Sequence, residues 1–139
     1  MYRSILMSAA VIGIAFAGTA NAASPRPTPQ AQLAKITAGR TAGKPVSCLR
    51  LNDIRSSRII NGTAIVYEGQ NGTLYVNTPP SGASFLRDGL TLVTDTHSDQ
   101  LCNVDIVRLV DMPMHMQAGS IGLGMFVPYA RPHHQAVNS

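Results

Sequence analysis

Two Asn-Gly pairs, Asn61-Gly62 and Asn71-Gly72, stand ten residues apart, each flanked by β-branched or aromatic residues. Asn-Gly between such runs is the strongest short-range signal for a β-hairpin, because both residues tolerate the positive φ that tight hairpin turns demand. With two-residue turns, Ile60 would face Thr63, Ile59 would face Ala64, Tyr67 would face Val76 and Glu68 would face Tyr75. The strand period of two then gathers Ile65, Tyr67, Leu74 and Val76 on one apolar face. Val66, Glu68, Tyr75 and Asn77 fall on a mixed face. A three-stranded meander over residues 55–77 is expected.

The same pattern extends outward. Cys48-Leu49-Arg50-Leu51 alternates as a strand does, Asn52-Asp53 breaks it, and residues 54–60 resume in extended form. Further strands are expected at 90–94 and 105–110, with an edge strand at 125–129. Ser84 is placed to cap a short helical turn, and residues 112–124 read as irregular and flexible. Short strands separated by turn signals, without a convincing amphipathic helix, define an all-β domain over residues 45–130. The expected architecture is a small partly open barrel or a sandwich of about 5–6 antiparallel strands with one disulfide.

Ahead of this domain, Met1-Tyr2-Arg3 supplies a positive start, residues 5–18 an apolar run, and Ala20-Asn21-Ala22 a small-x-small site. This is the pattern of a secretory signal peptide over residues 1–22, cleaved between Ala22 and Ala23. The run is shorter than the ~20 residues of a bilayer span, so no transmembrane segment is expected after cleavage. Residues 23–44, with Pro25, Pro27 and Pro29 alternating with polar residues, read as a disordered Pro-rich tether, and residues 131–139 as a disordered tail. The two cysteines, Cys48 and Cys102, both lie in the exported part, where an oxidising compartment favours a disulfide. Their separation fits no CxxC redox or zinc motif.

Candidate chemistry is sparse. Met112-Pro113-Met114-His115-Met116 combines thioethers with an imidazole, a set that a soft copper(I) ion prefers. Met125, His133 and His134 are possible additions. The alternative for Met112, Met114 and Met116 is apolar packing, since methionine fills irregular gaps. His97-Ser98-Asp99 carries the residue types of a hydrolase, but neighbours in a strand-like turn point different ways and no G-x-S-x-G elbow exists. Asp105 and Asp111 read as turn caps. Asn61-Gly62-Thr63 and Asn71-Gly72-Thr73 match the glycosylation sequon, yet the turns already account for both asparagines. The formal charge of +4 is carried by scattered residues, with no basic run or aromatic–basic interleaving, so nucleic acid is not an expected partner.

Cys48-Leu49, Ile54-Arg55-Ser56, Leu74-Tyr75-Val76-Asn77, Leu101-Cys102-Asn103-Val104-Asp105-Ile106 and the closing Gly122-Leu123-Gly124-Met125-Phe126-Val127-Pro128-Tyr129 occur in that order. In this the chain resembles a family of small, signal-peptide-bearing bacterial proteins built on a domain of unknown function. The likeness spans about residues 46–131. It implies export and a shared fold, and it carries over no catalytic residue or cofactor. Members of that family bear further cysteines near the positions of Ala83 and Ile121, so the resemblance implies a missing second bridge and a freer segment over residues 112–124.

Three functional readings follow. The first is a non-enzymatic periplasmic or secreted β-domain, a monomer, binding an envelope component or small ligand. The second is a periplasmic copper-binding protein using Met112, Met114, His115 and Met116. The third is an enzyme of unrecognised type. Exposure of Tyr67, Tyr75, Phe85 and Tyr129 separates the first from the third, because a grouped exposed set of rings marks a ligand face.

Overall fold

The computed structural model describes residues 24–132. The leader with its Ala22–Ala23 junction, and the tail from His133 onward, lie outside the described residues. Nine strands form three antiparallel sheets, preceded by one short helix. In chain order these are α1 (Pro29–Ile36), β1 (Cys48–Arg50), β2 (Ile54–Ile60), β3 (Ala64–Gly69), β4 (Leu74–Asn77), β5 (Thr91–Thr94), β6 (Gln100–Cys102), β7 (Ile106–Asp111), β8 (Met116–Gly122) and β9 (Phe126–Tyr129). The sheets run β2-β3-β4-β9, β5-β7-β8 and β1-β6. The all-β class is as expected. The strands are more numerous than expected, and the sheets do not close into a barrel.

All three sheets contribute to one core. Leu49, Ile59, Ile65, Tyr67, Leu101, Val107, Leu109, Ile121 and Phe126 are buried together, with Leu86 reaching in from the connection after β4. The rings of Tyr67 and Phe126 meet edge to face with centroids 5.7 Å apart, the arrangement that the quadrupoles of two rings favour.

The central meander forms, but with each turn one residue longer than expected. The observed pairs are Ile60 with Ala64, Ile59 with Ile65, Tyr67 with Tyr75, and Val66 with Val76. Each Asn-Gly pair sits in a three-residue loop. Gly62 at φ 61° and Gly72 at φ 79° take the left-handed positions, which cost a glycine nothing. A one-residue shift turns a strand's side chains over. Leu74 and Val76 therefore lie with Val66, and away from Ile65 and Tyr67. They form a second core of Ile60, Ala64, Val66, Leu74 and Val76 on the outer face of the sheet.

That outer face needs a cover, and the stretch expected to be a bare tether supplies it. Thr28 caps α1, its Oγ1 accepting a hydrogen bond from the Ala31 amide at 3.2 Å, and Pro29 opens the helix. Proline suits this first position because its missing N–H would be unpaired there anyway. Leu33 and Ile36 pack against the second core. Beyond the helix, Arg40 donates to the carbonyls of Gly72 and Tyr129 at 2.8 and 3.2 Å. Gly43 and Val46 then bond to the outer edge of β9 at 2.7 and 2.8 Å. The chain is held to the domain from Thr28, well ahead of the expected boundary at residue 45.

A second correction concerns residues 112–124. They contain β8, which pairs with β7 from Ile106–Gly122 to Asp111–Met116, with a bulge near Ala118. The glycine- and serine-rich composition of Met116–Gly122 hides a strand whose Ile121 is buried against Val107. Ile121 and the partly buried Ala83 both serve the main core. The turn before Leu86 covers Ala83–Phe85 and is preceded by Gly82, with no side-chain cap from Ser84.

Candidate functional site

Cys48 and Cys102 face each other across β1 and β6 and are joined, with sulfurs 2.08 Å apart. Beside this bridge the sheet opens. In β2, Ile54 pairs with Gly69 and Ser56 with Glu68, so Arg55 is the extra residue of a bulge. A bulge bends a strand and strengthens its twist. Before it, a single 3-10 turn at Leu51–Asp53 projects outward, tied by the Leu51 amide to Asp99 O and by the Gln70 amide to Asp53 O, each at 2.8 Å. Between this turn and the β3–β4 loop lies a cleft of about 430 Å³. Leu49, Ile54 and Tyr75 supply apolar lining, and Arg50, Asp53 and Asn71 a polar margin. The volume lies within the range of small-molecule sites, about 300–1,000 Å³, and such sites combine an apolar floor with a few polar groups.

Sequence reasoning did not single out this cleft. Asp53 and Asn71 come together only through the β2–β3 pairing, and no local motif connects them. The available signal was negative in form: Asn52-Asp53 and Gln70-Asn71 each interrupt a strand, and interruptions facing each other at one end of a hairpin leave room.

The aromatic residues do not form a grouped exposed face. Tyr67 is buried, and its hydroxyl has no hydrogen-bond partner among the described residues. Burial pushes its phenol well above the usual tyrosine range, because the charged form would be desolvated. Tyr75 lines the cleft, Tyr129 packs on the second core, and Phe85 lies exposed near β8.

The copper candidates lie at the turn of the β7–β8 hairpin. Asp111 pairs with Met116, and residues 112–115 form the loop between β7 and β8. Asp111 Oδ1 accepts from the Met114 amide at 3.1 Å, and the His115 amide donates to Met112 O at 3.3 Å. His115 holds φ at 52°, the only positive value at a non-glycine among the described residues. Met112, Met114 and Met116 are 51%, 65% and 59% exposed. The packing alternative for these methionines is therefore not what the structure shows. Met125 lies beyond the far end of β8, where its sulfur accepts from Asn103 Nδ2 at 3.3 Å. It does not belong to the cluster.

Other candidates resolve into structure. Ser98 Oγ bonds to the backbone of Gln100 at 3.3–3.4 Å, within its own turn. Asp105 Oδ2 accepts from the Cys102 amide at 2.6 Å, capping the turn into β7 as expected. Asn61 Oδ1 accepts from the Asp88 amide and Asn71 Oδ1 from the Thr73 amide, at 2.6 and 3.0 Å. Among the described residues no three His, Cys, Asp or Glu side chains gather as a metal site, and no helix is long and apolar enough to cross a membrane.

The fold and site together define a mostly β, disulfide-bridged domain with an open cleft beside its bridge. Comparison with protein-family models, with curated proteins and with solved structures finds no match to this chain.

Proposed function

We propose that the chain is an exported, non-enzymatic binding domain of the periplasm or cell exterior, taking a small ligand or an extended piece of an envelope component in the cleft beside Cys48–Cys102. The cleft carries this reading. Its floor of Leu49, Ile54 and Tyr75 offers apolar burial, and Arg50 and Asp53 at its margin offer opposite charges that would orient a polar ligand. Export is supported by the leader pattern ahead of Ala23 and by the commitment of both cysteines to one bridge.

The test is expression of the full chain in a bacterial host, followed by native mass spectrometry of the periplasmic fraction. A chain starting at Ala23, oxidised and retaining a small molecule that Arg50→Ala releases without lowering the melting temperature, is the expected result. An unprocessed chain with reduced thiols would overturn export, and a retained molecule indifferent to Arg50→Ala would overturn the cleft.

A further inference from the structure

The methionine-bearing hairpin end is the feature that the cleft does not absorb. An exposed large apolar side chain is unremarkable alone, but three at one hairpin end, two on the loop and one opening β8, need a reason. The main core is completed by Val107, Leu109 and Ile121 from the same two strands, so the methionines are not needed to fill it. The backbone that carries them is also held in place. Pro113 restricts the backbone before Met114, Asp111 ties down the Met114 amide, and the His115 amide closes the turn onto Met112. Because Asp111 and Met116 are paired partners, residues 112–116 lie within ~10 Å of one another, less than the joint reach of these side chains. Pro113 and Met114 also form one wall of a second cleft of about 500 Å³, shared with Arg87, Asp88 and Leu90. That wall gives the loop a partly sheltered side.

We propose that this hairpin end is a binding site for a soft monovalent cation, copper(I) in the first instance, with the thioethers of Met112, Met114 and Met116 and the imidazole of His115 as its ligands. The donor set selects the ion. Thioether sulfur is a poor ligand for magnesium and calcium, which take oxygen, and structural zinc prefers thiolates or several imidazoles where this loop has one. The site lies on the β5-β7-β8 sheet and is independent of the cleft beside the disulfide.

The decisive experiment titrates the oxidised protein anaerobically with copper(I) against a chromogenic chelator, and follows methionine methyl resonances in parallel. One equivalent withdrawn from the chelator is expected, with the Met112, Met114 and Met116 methyls shifting and Met125 unmoved. The triple variant Met112→Leu, Met114→Leu, Met116→Leu keeps volume at exposed positions, so its melting temperature should be unchanged while withdrawal is lost. His115→Ala should weaken withdrawal, and Arg50→Ala should leave it intact. No withdrawal by the unaltered protein, equal withdrawal by the triple variant, or shifts confined to Met125 would overturn the proposal.

Discussion

Asn77 is the one polar side chain in the described domain that is wholly buried, and the structure makes its replacement a demanding test. Its Nδ2 donates to Gly124 O at 2.6 Å, and its Oδ1 accepts from the Gly124 amide at 2.9 Å. The side chain thus pairs with a backbone as another strand would, fixing the end of β4 to the segment that enters β9. Asn77→Ala removes both bonds, strands two backbone groups and opens a small cavity. Each stranded group costs about 1–3 kcal/mol, so a loss of about 2–6 kcal/mol is expected. Asn77→Asp keeps the shape but places a carboxylate oxygen against the Gly124 carbonyl. Without a cation beside it, the folded-state pKa of that carboxyl must rise above the unfolded value of about 4. The folded state then holds the proton that the unfolded chain releases, so stability falls as pH rises above about 4 and stops falling at the folded-state pKa. Urea denaturation of the oxidised protein at pH 4 and pH 7, referenced to the unaltered chain, reads this directly. The Asp variant should approach the parent at pH 4 and lose about 2 kcal/mol or more at pH 7. Equal penalties at both pH values, or an Ala variant within about 0.5 kcal/mol of the parent, would refute the pairing.

Three further outcomes follow from the same structure. Replacing both Cys48 and Cys102 by alanine releases a loop of 54 residues, worth about 4 kcal/mol on the chain-entropy estimate; an unchanged urea midpoint would show that the bridge does not restrain the unfolded chain. Tyr67→Phe removes a buried hydroxyl that has no partner, so stability at pH 7 should hold or rise by up to about 1 kcal/mol. Because burial raises the phenol's pKa, the folded state keeps a proton that the unfolded chain loses above pH ~10; alkaline titration of stability should fall less steeply in the Phe variant. Replacing Leu33 and Ile36 together by alanine uncovers part of the outer core, with an expected loss of about 1–2 kcal/mol, whereas a free tether would register none by calorimetry.

Much of the β-sheet content was legible because it is written locally. The runs around the two Asn-Gly pairs carry β-branched or aromatic residues, and those choices identify strands wherever the chain goes next. The hairpin register was not legible to one residue, since Asn-Gly is compatible with both two- and three-residue loops. That single residue decided which face Leu74 and Val76 occupy. The same ambiguity concealed the role of α1. If Leu74 and Val76 face inward, the other face of the sheet is mixed and gives the N-terminal chain little to cover. Once they face outward with Ile60 and Val66, the sheet is apolar on both sides and requires Leu33 and Ile36.

β8 escaped for a different reason. Gln117, Ala118, Gly119 and Ser120 have little strand propensity, and their pairing is imposed by β7, whose Val107 and Leu109 place alternate residues in the core. The two candidate sites inherit these two kinds of opacity. The cleft beside the bridge arises from long-range register at the Arg55 bulge, so no contiguous motif could reveal it. The methionine loop is contiguous and was visible as chemistry, but its meaning depended on exposure. Buried, Met112, Met114 and Met116 would be packing. Displayed on a turn held by Asp111 and Pro113, they are free to act as ligands, and the chelator titration separates that role from mere display.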